Sequence, residues 1–293
     1  MSRVTVVGGG LMGHGIAQVF ALAGHQVIVQ DLNPEVLASV PERINANLRR
    51  LGIAAEVKVA LEPELEAAVA AAEWVFEAAP ESLPLKQELF ERLDRAAPRT
   101  AILATNSSVM KVGEVAARAS HRERIVGTHW WNPPYQIPLV EVVQGAESDP
   151  EVVERMLSLL TAAGKRPVHV RRDVAGFIGN RLQHALWREA FDLIDQGVCD
   201  AATVDEVIKL GFGRRLGVLG PVANADMVGL DLTLSIHEYL LPELNPPSEP
   251  SATLRELVAR GELGMKSGSG FNPWTEESAA QLRADLNVLL RAL

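Results

Sequence analysis

Val4-Thr5-Val6-Val7-Gly8-Gly9-Gly10-Leu11-Met12-Gly13 decides the fold. Val4–Val7 is a short β-branched run suited to a buried parallel strand. Gly8, Gly10 and Gly13 follow in the spacing G-x-G-x-x-G, and Ile16–Ala23 reads as a helix ended by Gly24. The glycine pattern alone is weak. A strand before it and a helix after it mark the opening of a βαβ unit that holds a dinucleotide. Gly8 permits the tight turn, Gly10 lets backbone approach a pyrophosphate, and Gly13 lets helix and strand pack closely. The helix amino terminus then turns its partial positive charge on the phosphates. Gly9, Leu11 and Met12 complete the loop, and His14 is expected to be a packed or solvated side chain.

Asp31 closes the second strand, Gln26–Gln30, eighteen residues past Gly13. A carboxylate there accepts from ribose hydroxyls and repels a 2′-phosphate. No arginine follows in Leu32-Asn33-Pro34-Glu35, so NAD is expected over NADP. Asn33-Pro34-Glu35 opens a helix with proline in its first turn. Strand-like runs recur at Trp74–Phe76, Ala101–Ala104, Arg124–Thr128, Leu139–Val143 and Arg166–Val170, most of them separated by helical stretches such as Leu85–Ala97 and Glu151–Ala163. That alternation predicts an α/β domain with a doubly wound, Rossmann-type parallel sheet.

From Val174 the strands stop. Ile178, Leu182, Leu186, Ala190 and Ile194 repeat every four residues, the apolar stripe of a long helix with Gly197 as its stop. Thr203-Val204-Asp205-Glu206 has capping-box spacing. Ala223–Leu241 and Glu276–Leu293 read as further helices, interrupted by the proline-rich loop Pro242–Pro250. The expected organisation is a cofactor domain over 1–173 and an all-helical domain over 174–293.

Composition narrows the function. Of 293 residues, 47% are hydrophobic and 22% charged, which is ordinary globular make-up. Twenty-eight basic against 37 acidic residues give a net charge of −9, which argues against nucleic acid or an anionic membrane as partner. Cys199 is the single cysteine, so neither an internal disulfide nor a thiolate metal cluster is expected, and it reads as a small buried hydrophobe. No stretch approaches the ~18 apolar residues of a membrane helix, and no secretory signal opens the chain. A soluble cytoplasmic protein is expected.

His129 ends one strand and precedes Trp130-Trp131-Asn132-Pro133-Pro134, where two prolines stiffen the turn. Glu141 lies twelve residues on, among Val140, Val142 and Val143. A carboxylate buried there needs a partner, and His129 reaches it across a hairpin or adjacent strand. Such a pair suits alcohol oxidation: imidazole takes the hydroxyl proton while carboxylate orients the ring and stabilises imidazolium.

His129-x-x-Asn132-Pro133-Pro134 with Pro138-Leu139-Val140-Glu141-Val142 resembles the active-site segment of the 3-hydroxyacyl-CoA dehydrogenase family. Further matches are Gly8–Gly13, Asn106-Ser107-Ser108, Ala175–Arg181, Gly220-Pro221 and Lys266–Phe271, spanning nearly the whole chain. The resemblance implies that His129 is the base, Glu141 its partner, Asn180 an aid to both His and substrate, and Ser107 a donor to the substrate oxygen. It implies cofactor contacts at Glu81, Lys86, Asn132 and Lys266, and a homodimer formed through the helical domain. NAD and substrate would meet in a cleft between the domains.

Three departures bear on substrate. Members acting on CoA thioesters usually carry a lysine-rich helical hairpin after the second strand; here Lys58 is the only lysine in Asn33–Ala72, although Arg43, Arg49 and Arg50 offer charge. Trp130-Trp131 and Tyr135-Gln136-Ile137-Pro138 look more like relatives acting on free acids such as gulonate, carnitine and pyridine-ring hydroxy acids. Arg214 and Arg215 stand where several of those relatives have a basic residue, and an arginine suits a bidentate carboxylate clamp. Lys266–Phe271, by contrast, looks like the short-chain acyl-CoA members. The first expectation is therefore a short-chain L-3-hydroxyacyl-CoA dehydrogenase serving fatty acid metabolism. The second is a dehydrogenase of a small free hydroxy acid or hydroxylated ring, with Arg215 in its substrate site. The third is a non-catalytic, crystallin-like NAD-binding protein, for which the joint presence of His129, Glu141, Asn180 and Ser107 has no physical need.

Overall fold

A computed structural model describes residues 1–244 and 250–291 of the chain. Its contacts divide into two compact units, residues 1–181 and 182–289. The first carries strands β1 (Arg3–Val7), β2 (Gln26–Gln30), β3 (Ala60–Glu62), β4 (Trp74–Glu77), β5 (Ile102–Thr105), β6 (Ile125–Trp130), β7 (Leu139–Val143) and β8 (Arg166–Val170). They form one sheet in the order β3-β2-β1-β4-β5-β6-β7-β8. Every neighbouring pair is parallel except β6 and β7, which run antiparallel. Helices α1 (Gly13–Leu22), α2 (Pro34–Leu51), α3 (Leu65–Val69), α4 (Leu83–Ala96), α5 (Val112–Val115) and α6 (Pro150–Ala162) supply the connections.

Both faces of this sheet are buried. Val4, Val6 and Phe76 pack with Ile16 and Phe20 of α1 in one core, while Val7, Val75 and Leu103 pack with Phe90 of α4 in another. Alternate residues of one strand thus enter opposite cores, which is why the strands read as unbroken apolar runs. Pro34 opens α2 as expected, and the Asn33 side chain caps it by accepting from the Glu35 and Val36 N–H groups. The strand order reverses between β1 and β4, so the crevice at their carboxyl ends is the place for a ligand. The three-residue strand β3 and the short helix α3 went unforeseen; neither is long enough to show a period.

In the second unit the helices are α7 (Gly179–Asp195, whose first turn belongs to the first unit), α8 (Ala201–Leu210), α9 (Pro221–Val228), α10 (Leu230–Leu240), α11 (Ala252–Ala259) and α12 (Glu276–Arg291). The capping box expected at Thr203 is not how α8 starts. Asp200 is the cap, accepting from the Thr203 N–H at 2.8 Å. The single helix expected over Ala223–Leu241 is two, because Gly229 adopts φ +104° and breaks it. Cys199 is half-buried rather than buried. Residues 245–249 of the proline-rich loop and 292–293 of the last expected helix lie outside the described residues.

Candidate active site

A cavity of about 670 Å³ lies over the carboxyl ends of β1, β2, β4 and β5. Gly8, Gly10, Leu11 and Met12 line one wall, Asp31 and Asn33 another, and Ala78–Glu81 with Asn106 and Ser108 a third, beside residues of α4. Gly8 sits at φ +98°, and a Cβ there would lie 2.7 Å from the Ala78 carbonyl oxygen. A Cβ on Gly13 would collide with the Gly8 carbonyl, whereas one on Gly10 meets nothing within 4 Å. Gly10 therefore borders open space that a side chain would occupy. These residues fit a dinucleotide whose pyrophosphate lies against the loop and the start of α1.

Asp31 already orders this wall. Its Oδ2 accepts from the Gly9 N–H and its Oδ1 from the Asn33 N–H, both at 2.8 Å. Each oxygen retains capacity for a ribose hydroxyl. The loop is braced from behind by Arg43 of α2, which donates to the Gly9 carbonyl at 2.9 Å and the Gly10 carbonyl at 3.2 Å. Arg43 thus turns inward, and Arg49 pairs with Glu42. His14 is packed, its Nδ1 2.8 Å from the Gly10 carbonyl, and burial lowers its pKa.

His129 and Glu141 are direct cross-strand partners in the β6–β7 pair. His129 Nδ1 lies 2.7 Å from Glu141 Oε2, and both side chains are buried. The other oxygen, Oε1, accepts from the Ile178 and Gly179 N–H groups at 2.9 and 3.0 Å. Burial alone would raise the Glu141 pKa; the hydrogen bonds from His129, Gly179 and Ile178 outweigh it and hold the carboxyl below its ordinary value. An ionised Glu141 fixes the tautomer with the proton on Nδ1 and leaves Nε2 as the basic atom. Asn180 Nδ2 stands 3.5 Å from that Nε2 and donates to the Ser108 carbonyl at 2.7 Å.

The backbone donors to Glu141 come from an unusual turn. Gly176 at φ +74° and Phe177 at φ +52° are both left-handed. A bulky residue there is strained, and strain of this kind gathers at functional sites. Phe177 is buried with its ring centroid 5.7 Å from that of His129, and Trp131 lies 5.0 Å away.

Glu81 and Lys86 belong to a charge network. Lys86 is 1% exposed, pairing with Glu77 at 2.6 Å and with Glu81 at 3.5 Å. Buried Glu77 also accepts from the Thr105 hydroxyl at 2.7 Å. Glu81 Oε1 accepts from Ser107 Oγ at 2.5 Å and the Ser108 N–H at 2.9 Å. Lys86 is sealed behind Glu81 and shared by two carboxylates, so it does not line the cavity. Ser107 is buried with its hydroxyl proton given to Glu81 and its oxygen accepting from the Met110 N–H, which leaves it no proton for a substrate. Ser108, its exposed neighbour, borders the cavity.

Asn132 is exposed just past β6. Lys266 and Arg215 are exposed residues of the second unit. Glu77 and Thr105 were missed by sequence reading, Arg43 was noted only as charge for a phosphate, and Phe177 only within a motif. The acidic end of an apolar strand at Glu77 was the one available signal; a reversed φ at a phenylalanine leaves none. Asn106 was noted only within a motif, and its Oδ1 accepts from the Trp130 N–H at 3.0 Å, tying cavity wall to catalytic strand. Among the described residues, no group of three or more His, Cys, Asp or Glu side chains could hold a metal.

Family models match both parts of the chain. Residues 3–174 match the NAD binding domain of 3-hydroxyacyl-CoA dehydrogenase, and residues 176–274 match its C-terminal domain. The chain belongs to the 3-hydroxyacyl-CoA dehydrogenase family. It is 36% identical to a probable 3-hydroxybutyryl-CoA dehydrogenase of Bacillus subtilis, over 95% of this chain and 99% of that one. It is 33% identical to a 5-formyl-3-hydroxy-2-methylpyridine 4-carboxylate 5-dehydrogenase of Mesorhizobium japonicum, over 97% of this chain and 94% of that one. A solved structure of a dehydrogenase of that pyridine acid matches at 32% identity and TM-score 0.93, over 100% of this chain and 97% of that one. This family member is an NAD-dependent oxidoreductase acting on CH–OH groups.

Proposed function

We propose that this enzyme oxidises the hydroxyl of a small free acid, aliphatic or ring-bearing, rather than that of a CoA thioester. One observation carries the reading. Between β2 and β3 the chain forms a single helix, α2, which ends at Gly52 in the left-handed conformation, and no helical hairpin follows. Lys58, the only lysine of that stretch, is an exposed residue 4.0 Å from Glu56. A nucleotide tail with several phosphates would need more cationic surface there. The likeness to the pyridine carboxylate dehydrogenase supports the same reading.

In it, His129 Nε2 takes the hydroxyl proton while Glu141 holds the ring and stabilises the imidazolium that forms. Bound NAD supplies the hydride acceptor, held by Gly8–Gly13 and Asp31, with Glu81 and Asn132 as further contacts. Asn180 orients Nε2, and the Ser108 hydroxyl replaces Ser107 as donor to the substrate oxygen. Arg215 clamps the substrate carboxylate, Lys266 adds a cofactor contact, and the helical unit pairs two copies.

The test is NADH formation by purified protein offered carnitine, gulonate, 3-hydroxybutyrate, hydroxylated pyridine acids and L-3-hydroxybutyryl-CoA in parallel. Turnover on free acids, with KM raised at least about tenfold by Arg215→Ala, is expected from a lost charged hydrogen bond. Turnover on the thioester alone overturns the reading. That outcome would return the short-chain acyl-CoA assignment, which the Lys266–Phe271 segment and the Bacillus subtilis relative favour.

A further inference from the structure

Lys165 has no part in the site described above. It sits in the turn between α6 and β8 and is 8% exposed. Its Nζ donates to the Pro134 carbonyl at 2.5 Å and the Ile137 carbonyl at 2.9 Å. The ammonium also lies 5.6 Å from the centroid of the Trp130 ring. Among the described residues no carboxylate lies within ion-pair distance of it. Burial lowers its pKa from the ordinary lysine value to about 8.

Both carbonyls belong to residues 131–138, which join β6 to β7 and so link His129 to Glu141. The Gln136 and Ile137 N–H groups both donate to the Pro133 carbonyl, which folds the segment back on itself. Its other side lies on α1. A Cβ on Gly15 would come within 2.6 Å of Pro134 Cγ and 3.2 Å of Tyr135. The segment is therefore held between Lys165 and the helix whose amino terminus borders the cofactor cavity. An ammonium is well matched to this place, since three N–H donors on a compact head serve two carbonyls and a ring face. An apolar residue would fill the same space without the desolvation penalty.

We propose that Lys165 is a positioning residue for the dehydrogenase reaction: it fixes residues 131–138 against α1 and thereby sets the His129 imidazole relative to the cofactor cavity. The proposal rests on the oxidoreductase reading. Lys165 borders a cleft of about 360 Å³ that Gln18, Val19, Tyr135 and Gly164 also line. The Tyr135 phenol is the other titratable group of that cleft; Gln18 and the Trp130 indole, which face the amine from α1 and β6, are neutral. Loss of the proton leaves two N–H donors without the charge that strengthens them.

The experiment compares full-length wild type with Lys165→Met and Lys165→Arg by hydrogen exchange of residues 131–138 and by kcat from about pH 6 to 10 on the substrate found above. In Lys165→Met, amide exchange at Gln136 and Ile137 should rise at least about tenfold and kcat fall about tenfold, with KM for NAD within about twofold, because orientation rather than cofactor binding is lost. Wild type should lose kcat above about pH 8, and Lys165→Arg, which stays charged, should keep most activity without that decline. Unchanged exchange in folded Lys165→Met overturns the proposal, as does faster exchange at undiminished kcat. An alkaline decline in Lys165→Arg identical to wild type also overturns it, even if Lys165→Met does not fold. Failure of wild type to oxidise any substrate sinks the dehydrogenase reading instead, and the exchange result then decides the clamp alone.

Discussion

The two units treat apolar side chains in opposite ways. In residues 1–181 both faces of the sheet are sealed, and valines, phenylalanines and leucines fill two continuous cores. In residues 182–289, only Leu257 and Ala279 are buried apolar residues among those described, while Leu182, Trp187, Val207, Leu210 and Leu232 stand exposed. The apolar stripe of α7 is real, yet among the described residues no α7 side chain is buried. Exposed apolar surface on that scale marks an interaction face rather than a monomer's surface. The first unit holds the His129–Glu141 pair within its own packing, and we propose that the second is covered by a second copy of the chain.

The largest expected effect concerns the buried pair of the first unit. His129→Ala should lower kcat by about 10³-fold, the scale of a lost general base. NADH affinity, read by fluorescence titration, should stay within about threefold, because the glycine loop and Asp31 are untouched. A variant with undiminished kcat would remove His129 from the chemistry. The second unit's dependence on a partner is tested by Leu182→Glu with Leu186→Glu. The dimer dissociation constant from sedimentation should rise at least about 100-fold, since each buried anchor is worth about 2 kcal/mol. NADH binding should persist. A wild-type chain that sediments as a monomer, with an unchanged Tm in the double variant, would mean the exposed stripe has some other purpose.

The same contrast explains what the sequence disclosed. The first unit was legible because its signals are local. A strand, glycines and an acid at fixed spacing impose one backbone path, and β-branched runs recur wherever the sheet is buried on both faces. The His129–Glu141 pair was legible for a related reason: a carboxylate between valines needs a partner, and an antiparallel register supplies it directly. Arg43 reaching back over some thirty residues to the Gly9 and Gly10 carbonyls was not, because a helix arginine looks solvated by default. Nor was the different placement of Ser107 and Ser108, one buried against Glu81 and the other bordering the cavity. Adjacent serines read alike, and only the chain's path decides which one meets Glu81. In the second unit periodicity found helices but missed the break at Gly229, which apolar residues on both sides conceal. Periodicity also says nothing about which molecule covers a stripe.

Asp31 gives a smaller effect that sharpens the picture of the first unit. Replacing it by Ala removes the acceptor that orders Gly9 and Asn33 and, in our proposal, the acceptor for ribose. KM for NAD should rise about 10- to 100-fold, the loss of one or two charged hydrogen bonds. The preference for NAD over NADP should shrink too, because the carboxylate's repulsion of a 2′-phosphate goes with it. If kcat falls while KM holds, Asp31 acts through the loop on the reaction and not on affinity.

The smallest effect concerns acid stability, and it is local to the first unit. The Glu141 carboxyl titrates below its ordinary value in the folded chain, since burial is outweighed by hydrogen bonds from His129, Gly179 and Ile178. The unfolded chain then binds the proton first as pH falls. Glu141 therefore contributes its full stabilisation above the ordinary glutamate value of about 4.3, and loses it as pH drops through the lowered folded value. Glu141→Gln has no such titration. Subtracting its stability curve from that of wild type in urea melts cancels the other carboxylates, including those of the second unit. The difference should be flat near neutrality and fall only below about pH 4.3. A difference that already changes between pH 5 and 7 would mean that the Glu141 carboxyl is not held down by its hydrogen bonds from His129, Gly179 and Ile178.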